Sequence, residues 1–145
     1  MNDPGYREAA TCQENHDLFI REIVESETIW ALSNKENRYA YAELKKDENP
    51  LDILLFWSDK ESANRVQQNH YPEFKETSIT LYNFLFRWLP GMFSEGVFAG
   101  TNWTGALVGM EYDAYKLRLE IEAALSSEQI DRFNKLYHES NSRHE

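Results

Sequence analysis

The sequence predicts an α+β domain with an antiparallel or mixed sheet and helices packed mainly on one face. Three observations carry that expectation. Helix-period and strand-period segments follow one another in the order α, β-β-β, α, β, α, β-β, α-α. Short polar turns, rather than long crossovers, join most neighbouring strands. The strand candidate Leu51 to Trp57 holds a continuous apolar run, Ile53–Trp57, the pattern of a central strand covered on both faces.

Residues 1–14 are polar and read as a flexible segment, residues 15–138 as a single globular domain, and residues 139–145 as a polar tail. The first helix is expected from about Asp17 to Ser26. Phe19, Ile20, Ile23 and Val24 form its apolar face, and Asn15 or Asp17 caps it. Thr28–Leu32 is a short strand, and Ser33–Asn37 a polar turn. Arg38–Leu44 alternates, with Ala40, Ala42 and Leu44 on the side opposite Tyr39, Tyr41 and Glu43. These two strands read as a hairpin. A charged turn, Lys45 to Pro50, leads into the central strand. Ser58 with Glu61 has the spacing of a capping box that opens a helix to about Gln68. Phe74–Thr80 is extended.

Leu81, Phe84, Leu85, Trp88 and Leu89 then fall on one helix face, with Tyr82 and Phe86 as a second stripe. This central helix is expected to be covered on more than one side. Ser78 or Thr80 should cap it and Pro90-Gly91 should stop it. The glycine-rich stretch that follows reads as strand, tight turn, strand. Asp113 caps a helix carrying Leu117, Ile121, Ala124 and Leu125. Ser126 with Gln129 forms a second capping box before a last helix with Ile130, Phe133 and Tyr137.

The charge balance narrows the function. Fifteen basic residues stand against 25 acidic ones, a net charge of −10. Such a surface repels phosphate backbones, so nucleic acid is not an expected partner. The excess acid serves solubility, or it steers a basic protein partner. No apolar window approaches the ~18 residues of a membrane span. The first ten residues carry Asp3, Arg7 and Glu8 with no apolar run, so a cytoplasmic address is expected rather than a secretory one. Cys12 is the single cysteine, so no internal disulfide can form, and Glu8 and Glu14 nearby disfavour a reactive thiolate.

Motifs for chemistry are sparse. Gly96, Gly100, Gly105 and Gly109 lack the spacing of a phosphate-binding loop and fit tight turns and close strand packing. His16, His70, His138 and His144 do not fall at metal-ligand spacing with one another or with Cys12, and no metal or cofactor is expected. Glu111 and Asp113 flank Tyr112 as a conceivable acid–base pair, although a helix start favours acids for its own reasons. No hydrolase nucleophile motif is present. The expectation therefore leans away from catalysis. The binding candidates are Trp57, Asp59, Trp88, Asn102, Trp103 and Glu111, because tryptophan offers large area with one donor. The competing reading is that all four tryptophans, Trp30 included, serve the core. Of the four, Trp88 is the best core candidate and Trp103 the best candidate for exposure.

Phe19-Ile20-Arg21-Glu22-Ile23-Val24, Thr28-Ile29-Trp30-Ala31-Leu32 and Leu55-Phe56-Trp57-Ser58-Asp59-Lys60-Glu61 occur in an order that is itself informative. They are followed by Trp88-Leu89-Pro90-Gly91, Gly96-Val97 and Gly100-Thr101-Asn102-Trp103. In these motifs, over roughly residues 15 to 125, the chain resembles a bacterial family known as domain of unknown function 2750. The resemblance implies a small cytosolic domain with no established activity.

Two functions fit these features. The first is a protein-interaction module of immunity or regulatory type, which requires a contiguous surface patch with an exposed tryptophan or tyrosine and acids nearby. The second is a small-molecule-binding domain or weakly marked enzyme, with a pocket near Trp57 and Trp103 and polar groups such as Asp59, Asn102 or Glu111. Homodimerisation is compatible with both.

Overall fold

A computed structural model of the chain describes residues 4–46 and 49–142. The elements follow the expected order: α1 (Pro4–Ser26), β1 (Thr28–Ser33), β2 (Tyr41–Lys46), β3 (Asn49–Phe56), α2 (Lys60–His70) and β4 (Lys75–Thr80) come first. A helical stretch built from α3 (Leu81–Asn83), a π-helical turn (Phe84–Trp88) and α4 (Leu89–Glu95) follows. The chain ends with β5 (Phe98–Thr101), β6 (Glu111–Tyr112), α5 (Ala114–Ala124) and α6 (Ser127–Ser142).

β3 is the organising strand. It pairs antiparallel with β2 and parallel with β5, and β5 pairs antiparallel with β6, giving the order β2-β3-β5-β6. β1 and β4 form a separate antiparallel pair. The two sheets meet where Trp30 and Trp57 exchange backbone hydrogen bonds, both at 2.8 Å. Side chains alternate across β3. Ile53, Leu55 and Trp57 pack with Ala63 and Val66 of α2. Phe56 faces the larger cluster of Phe19, Ile23, Phe84, Leu85, Leu89, Leu117 and Ile121. Both faces are covered, most helices lie on the larger side, and the apolar run through 53–57 is accounted for. The fold is α+β.

Four local expectations are corrected. First, α1 starts at Pro4 rather than near Asp17. Proline suits a first helical turn, where its missing N–H costs nothing. Cys12 (7% exposed) and His16 (1%) continue the buried stripe of Phe19 and Ile23 at helical spacing. A pattern that counts only apolar residues overlooks both. At the other end, α6 runs to Ser142, through part of the segment read as a tail. Residues 1–3 and 143–145 lie outside the described residues.

Second, β1 and β2 do not form a hairpin. The turn does fold back: Asn34 Oδ1 accepts from the backbone N–H of Glu36 and Arg38, and Asn37 takes φ 61°. Only one bridge, Ser33 with Tyr39, survives beyond it. The chain then crosses to β3, and β1 pairs along its full length with β4.

Third, Ser58 does not cap α2. Asp59 does, accepting from the N–H of Ser62 at 2.9 Å. Ser58 is buried and engaged elsewhere.

Fourth, Pro90-Gly91 does not end the central helix. An α-helical register would set the Pro90 ring against the Phe86 carbonyl. The π turn immediately upstream widens the coil, with the Leu89 N–H bonded to the Phe84 carbonyl, and the helix resumes to Glu95. Gly96, at φ 74°, is the left-handed residue that closes it. Asn15 and Asp17, read as caps of the first helix, lie in the interior of α1 instead. Three caps hold as read: Thr80 accepts from Asn83, Asp113 from Lys116, and Ser126 and Gln129 cap each other reciprocally. Helix α6 is fastened to the end of α1. Arg132 donates two hydrogen bonds to the Glu27 carboxylate, at 2.7 and 2.6 Å, which hold that carboxyl below its ordinary pKa.

Candidate functional site

Parallel pairing sets the C-terminal ends of β3 and β5 side by side, with Phe56 opposite Thr101. Crevices outside such paired ends are where α/β sheets bind ligands. Here the chain leaves as Trp57-Ser58-Asp59 from one strand and Asn102-Trp103 from the other. Asn102 adopts a left-handed conformation, φ 50°, which asparagine tolerates better than most residues. Its side chain joins three segments. Oδ1 accepts from the Ser58 N–H at 2.9 Å, and Nδ2 donates to the Asn15 carbonyl at 3.2 Å and to Ser58 Oγ at 3.0 Å. Ser58 Oγ in turn donates to Glu22 Oε1 at 2.7 Å. Helix α1 is thereby fixed against both strand ends.

The two tryptophans set the next loop. Trp57 is fully buried and its indole N–H donates to the Trp103 carbonyl at 2.9 Å. Trp103 is half-buried, and its own indole N–H donates to the Met110 carbonyl at 3.1 Å. The Trp103 ring lies in a slot between two glycines. A Cβ at Gly100 would sit 2.6 Å from its Nε1, and one at Gly109 only 2.1 Å from its Cδ1. These glycines serve close packing, as their spacing implies.

A cleft of about 210 Å³ opens at this junction, lined by Asn15, Leu18, Asp59, Ser62, Arg65, Asn102, Trp103, Thr104 and Gly105. Three of the six binding candidates, Asp59, Asn102 and Trp103, are on its wall, and Trp57 is hydrogen-bonded to the Trp103 backbone. Trp88 is elsewhere: half-buried on the π turn, it packs edge-on against Tyr39 and Phe56 at centroid distances of 4.6 and 5.8 Å. Glu111 lies in β6 opposite Gly100 and does not line the cleft. Ser62 and Arg65 escaped the sequence reading. Ser62 lies three residues after Asp59, at the spacing of neighbours on a helix surface, and Arg65 reads as solvated surface until the fold sets it at the cleft.

A second polar cluster sits inside the domain. His16 Nδ1 is 2.7 Å from Thr101 Oγ1, and Nε2 is 2.9 Å from Glu120 Oε2. The two ring nitrogens thus bridge a hydroxyl on β5 and a carboxyl on α5. Thr101 is 2% exposed and paired within β5, so this alignment ties α1, β5 and α5 together rather than presenting a nucleophile. Tyr112 stacks on His16 at 3.8 Å, and its buried hydroxyl has no hydrogen-bond partner among the described residues. Burial, with the Glu120 carboxylate next in weight, pushes its pKa up to about 12.

The unfolded chain therefore ionises first on the alkaline side. Stability from Tyr112 is complete below its ordinary value of 10.0 and is lost as pH rises toward about 12. Tyr112→Phe is expected to raise the unfolding free energy at neutral pH by about 1 kcal/mol, by removing an unsatisfied hydroxyl. It should also flatten the alkaline decline. Urea unfolding at neutral pH and across that alkaline window checks both, and a destabilised Phe variant would contradict them.

Most of the exposed large apolar side chains are on the helices. Phe93, Tyr115, Leu119, Ile130 and Tyr137 are all between 41% and 56% exposed. Phe93 and Tyr115 touch, with ring centroids 5.7 Å apart, and Leu119 follows Tyr115 by one helical turn. Beyond Leu119 a groove of about 590 Å³ runs between α5 and α6, floored by Leu85, Phe86, Leu125 and Phe133 and edged by Ile130. Tyr137 stacks on Phe86 at 5.3 Å. Arg118 and Glu122, paired at 2.7 Å, form the polar rim. Tyrosines, not tryptophans, supply the exposed aromatic area: Trp57 is buried, and Trp30, Trp88 and Trp103 are half-buried.

Comparison with known proteins gives one finding. A family model described as "Protein of unknown function (DUF2750)" matches residues 16–121. No curated protein and no solved structure matches the chain. The matched region contains the cleft lining except Asn15, and the Phe93–Tyr115–Leu119 side of the apolar face. It ends before α6.

Proposed function

Because the chain belongs to the DUF2750 family, whose members have no assigned function, we propose a role from its surface: a non-catalytic protein-interaction module of immunity or regulatory type. One observation carries this reading, the continuous apolar and aromatic face of α4, α5 and α6. Contiguous exposed area of this kind is a common mark of a protein-binding site. Its composition suits the role, because tyrosine and phenylalanine supply contact area at low entropic cost and are enriched at interface centres. The groove between α5 and α6 has the shape that accepts the apolar face of a partner helix. The partner is basic, since the net charge of −10 steers a positive surface toward the domain.

The test is affinity capture by the tagged full chain from its source cells, first at low and then at moderate salt. The expected result is a stoichiometric basic protein, with an apolar segment, whose recovery falls as salt rises. Recovery of nothing but further copies of the chain, or of a partner indifferent to salt, would overturn the steered-partner reading.

A further inference from the structure

The cleft at the ends of β3 and β5 is separate from the helical face, and its chemistry is different. We propose that it binds a small zwitterion, a free α-amino acid, with the carboxylate on Arg65 and the ammonium on Asp59. Arg65 makes no ion pair or hydrogen bond among the described residues, although it lines the cleft. Asp59 uses Oδ2 to cap α2, which leaves its second oxygen to accept from a cation. The two charges line the same cleft, yet they are not paired with each other. Asp59 is the N-cap and Arg65 lies six residues on, about 9 Å along the helix axis, and the long arginine side chain covers part of that gap. A ligand that satisfies both must carry both signs. An anion alone meets the Asp59 carboxylate, and a cation alone meets the Arg65 guanidinium.

Size and rigidity agree. At ~30 Å³ per liquid water, the cleft holds about seven waters, the room an amino acid of modest side chain needs. The Ser62 hydroxyl supplies a further polar contact, and the half-buried Trp103 indole supplies an apolar wall. The Asn102 network and the glycine slot hold this wall before any ligand arrives, so little ordering is left to oppose binding.

The experiment uses the intact chain and the common amino acids, each at millimolar concentration. Thermal shift is read together with the NMR signal of the Trp103 indole N–H. Two relatives of any hit accompany it, one with the carboxylate made an amide and one lacking the amino group. The expected result is a raised melting temperature and a moved Trp103 signal for at least one amino acid, with both relatives bound about tenfold or more weakly. Arg65→Gln and Asp59→Asn should each weaken binding by a similar factor. Asparagine remains a good helix cap, so Asp59→Asn keeps α2 intact. The proposal is overturned if no amino acid moves either readout, if a one-charge relative binds as tightly, or if both variants bind undiminished. None of these readouts involves the helical face, so failure here leaves the interaction reading untouched.

Discussion

Trp57→Ala is expected to destabilise the domain by about 3–5 kcal/mol, the range for deleting a buried tryptophan. The indole is fully buried among Leu32, Ile53, Leu55, Ala63 and Val66, at the point where the two sheets join. Its N–H also holds the Trp103 carbonyl. Losing that donor leaves an acceptor beside the core to find a new partner, which adds to the cavity cost. Against a typical total of about 5–15 kcal/mol, the variant sits near the edge of folding. Urea unfolding of the purified variant measures the effect. A loss below about 1 kcal/mol would contradict the role assigned to Trp57 as the joint between sheets and loop.

The second large effect is on binding. Leu119→Glu puts a charge in the middle of the face formed by Phe93, Tyr115, Ile130 and Tyr137. A central apolar anchor contributes about 2 kcal/mol or more when truncated, and a charge in its place must also be desolvated against the partner. Partner affinity should fall at least roughly thirtyfold. Stability should change little, because Leu119 is about half exposed and glutamate is a good helix former. Tyr41→Glu is the matched control: Tyr41 is also about half exposed but sits on β2, away from the helical face.

Much of this architecture was legible because local patterns and the tertiary fold agree. The element order followed from periodicity. Thr80, Asp113 and the Ser126–Gln129 pair could be read as caps because their partners lie three residues away. The errors arose where a distant contact decides. Ser58 has capping-box spacing, but Asn102 and Glu22 claim its hydrogen bonds. β1 has a turn after it, yet β4 pairs with it across a long stretch of sequence. Pro90 reads as a helix stop, and only a π turn, which has no local signature in Phe84–Trp88, lets the helix continue.

The candidate site divides in the same way. Asp59, Asn102 and Trp103 could be found from residue type, since each is a polar or aromatic residue beside a strand end. Arg65 could not, because one arginine on a polar helix looks like solvated surface until the fold sets it at a cleft. The helical face was equally hidden. Tyr115 and Leu119 lie outside the buried stripe of α5, and only the approach of α4 and α6 joins them to Phe93, Ile130 and Tyr137.

The most direct test of the interaction reading compares three full-length chains in one capture experiment: wild type, Leu119→Glu and Tyr41→Glu. Each is first checked for an unchanged melting temperature. The account predicts that the wild type and Tyr41→Glu retain the same basic partner at low salt and that Leu119→Glu loses it. Equal retention by all three, or loss with Tyr41→Glu alone, would contradict the helical face as the docking surface.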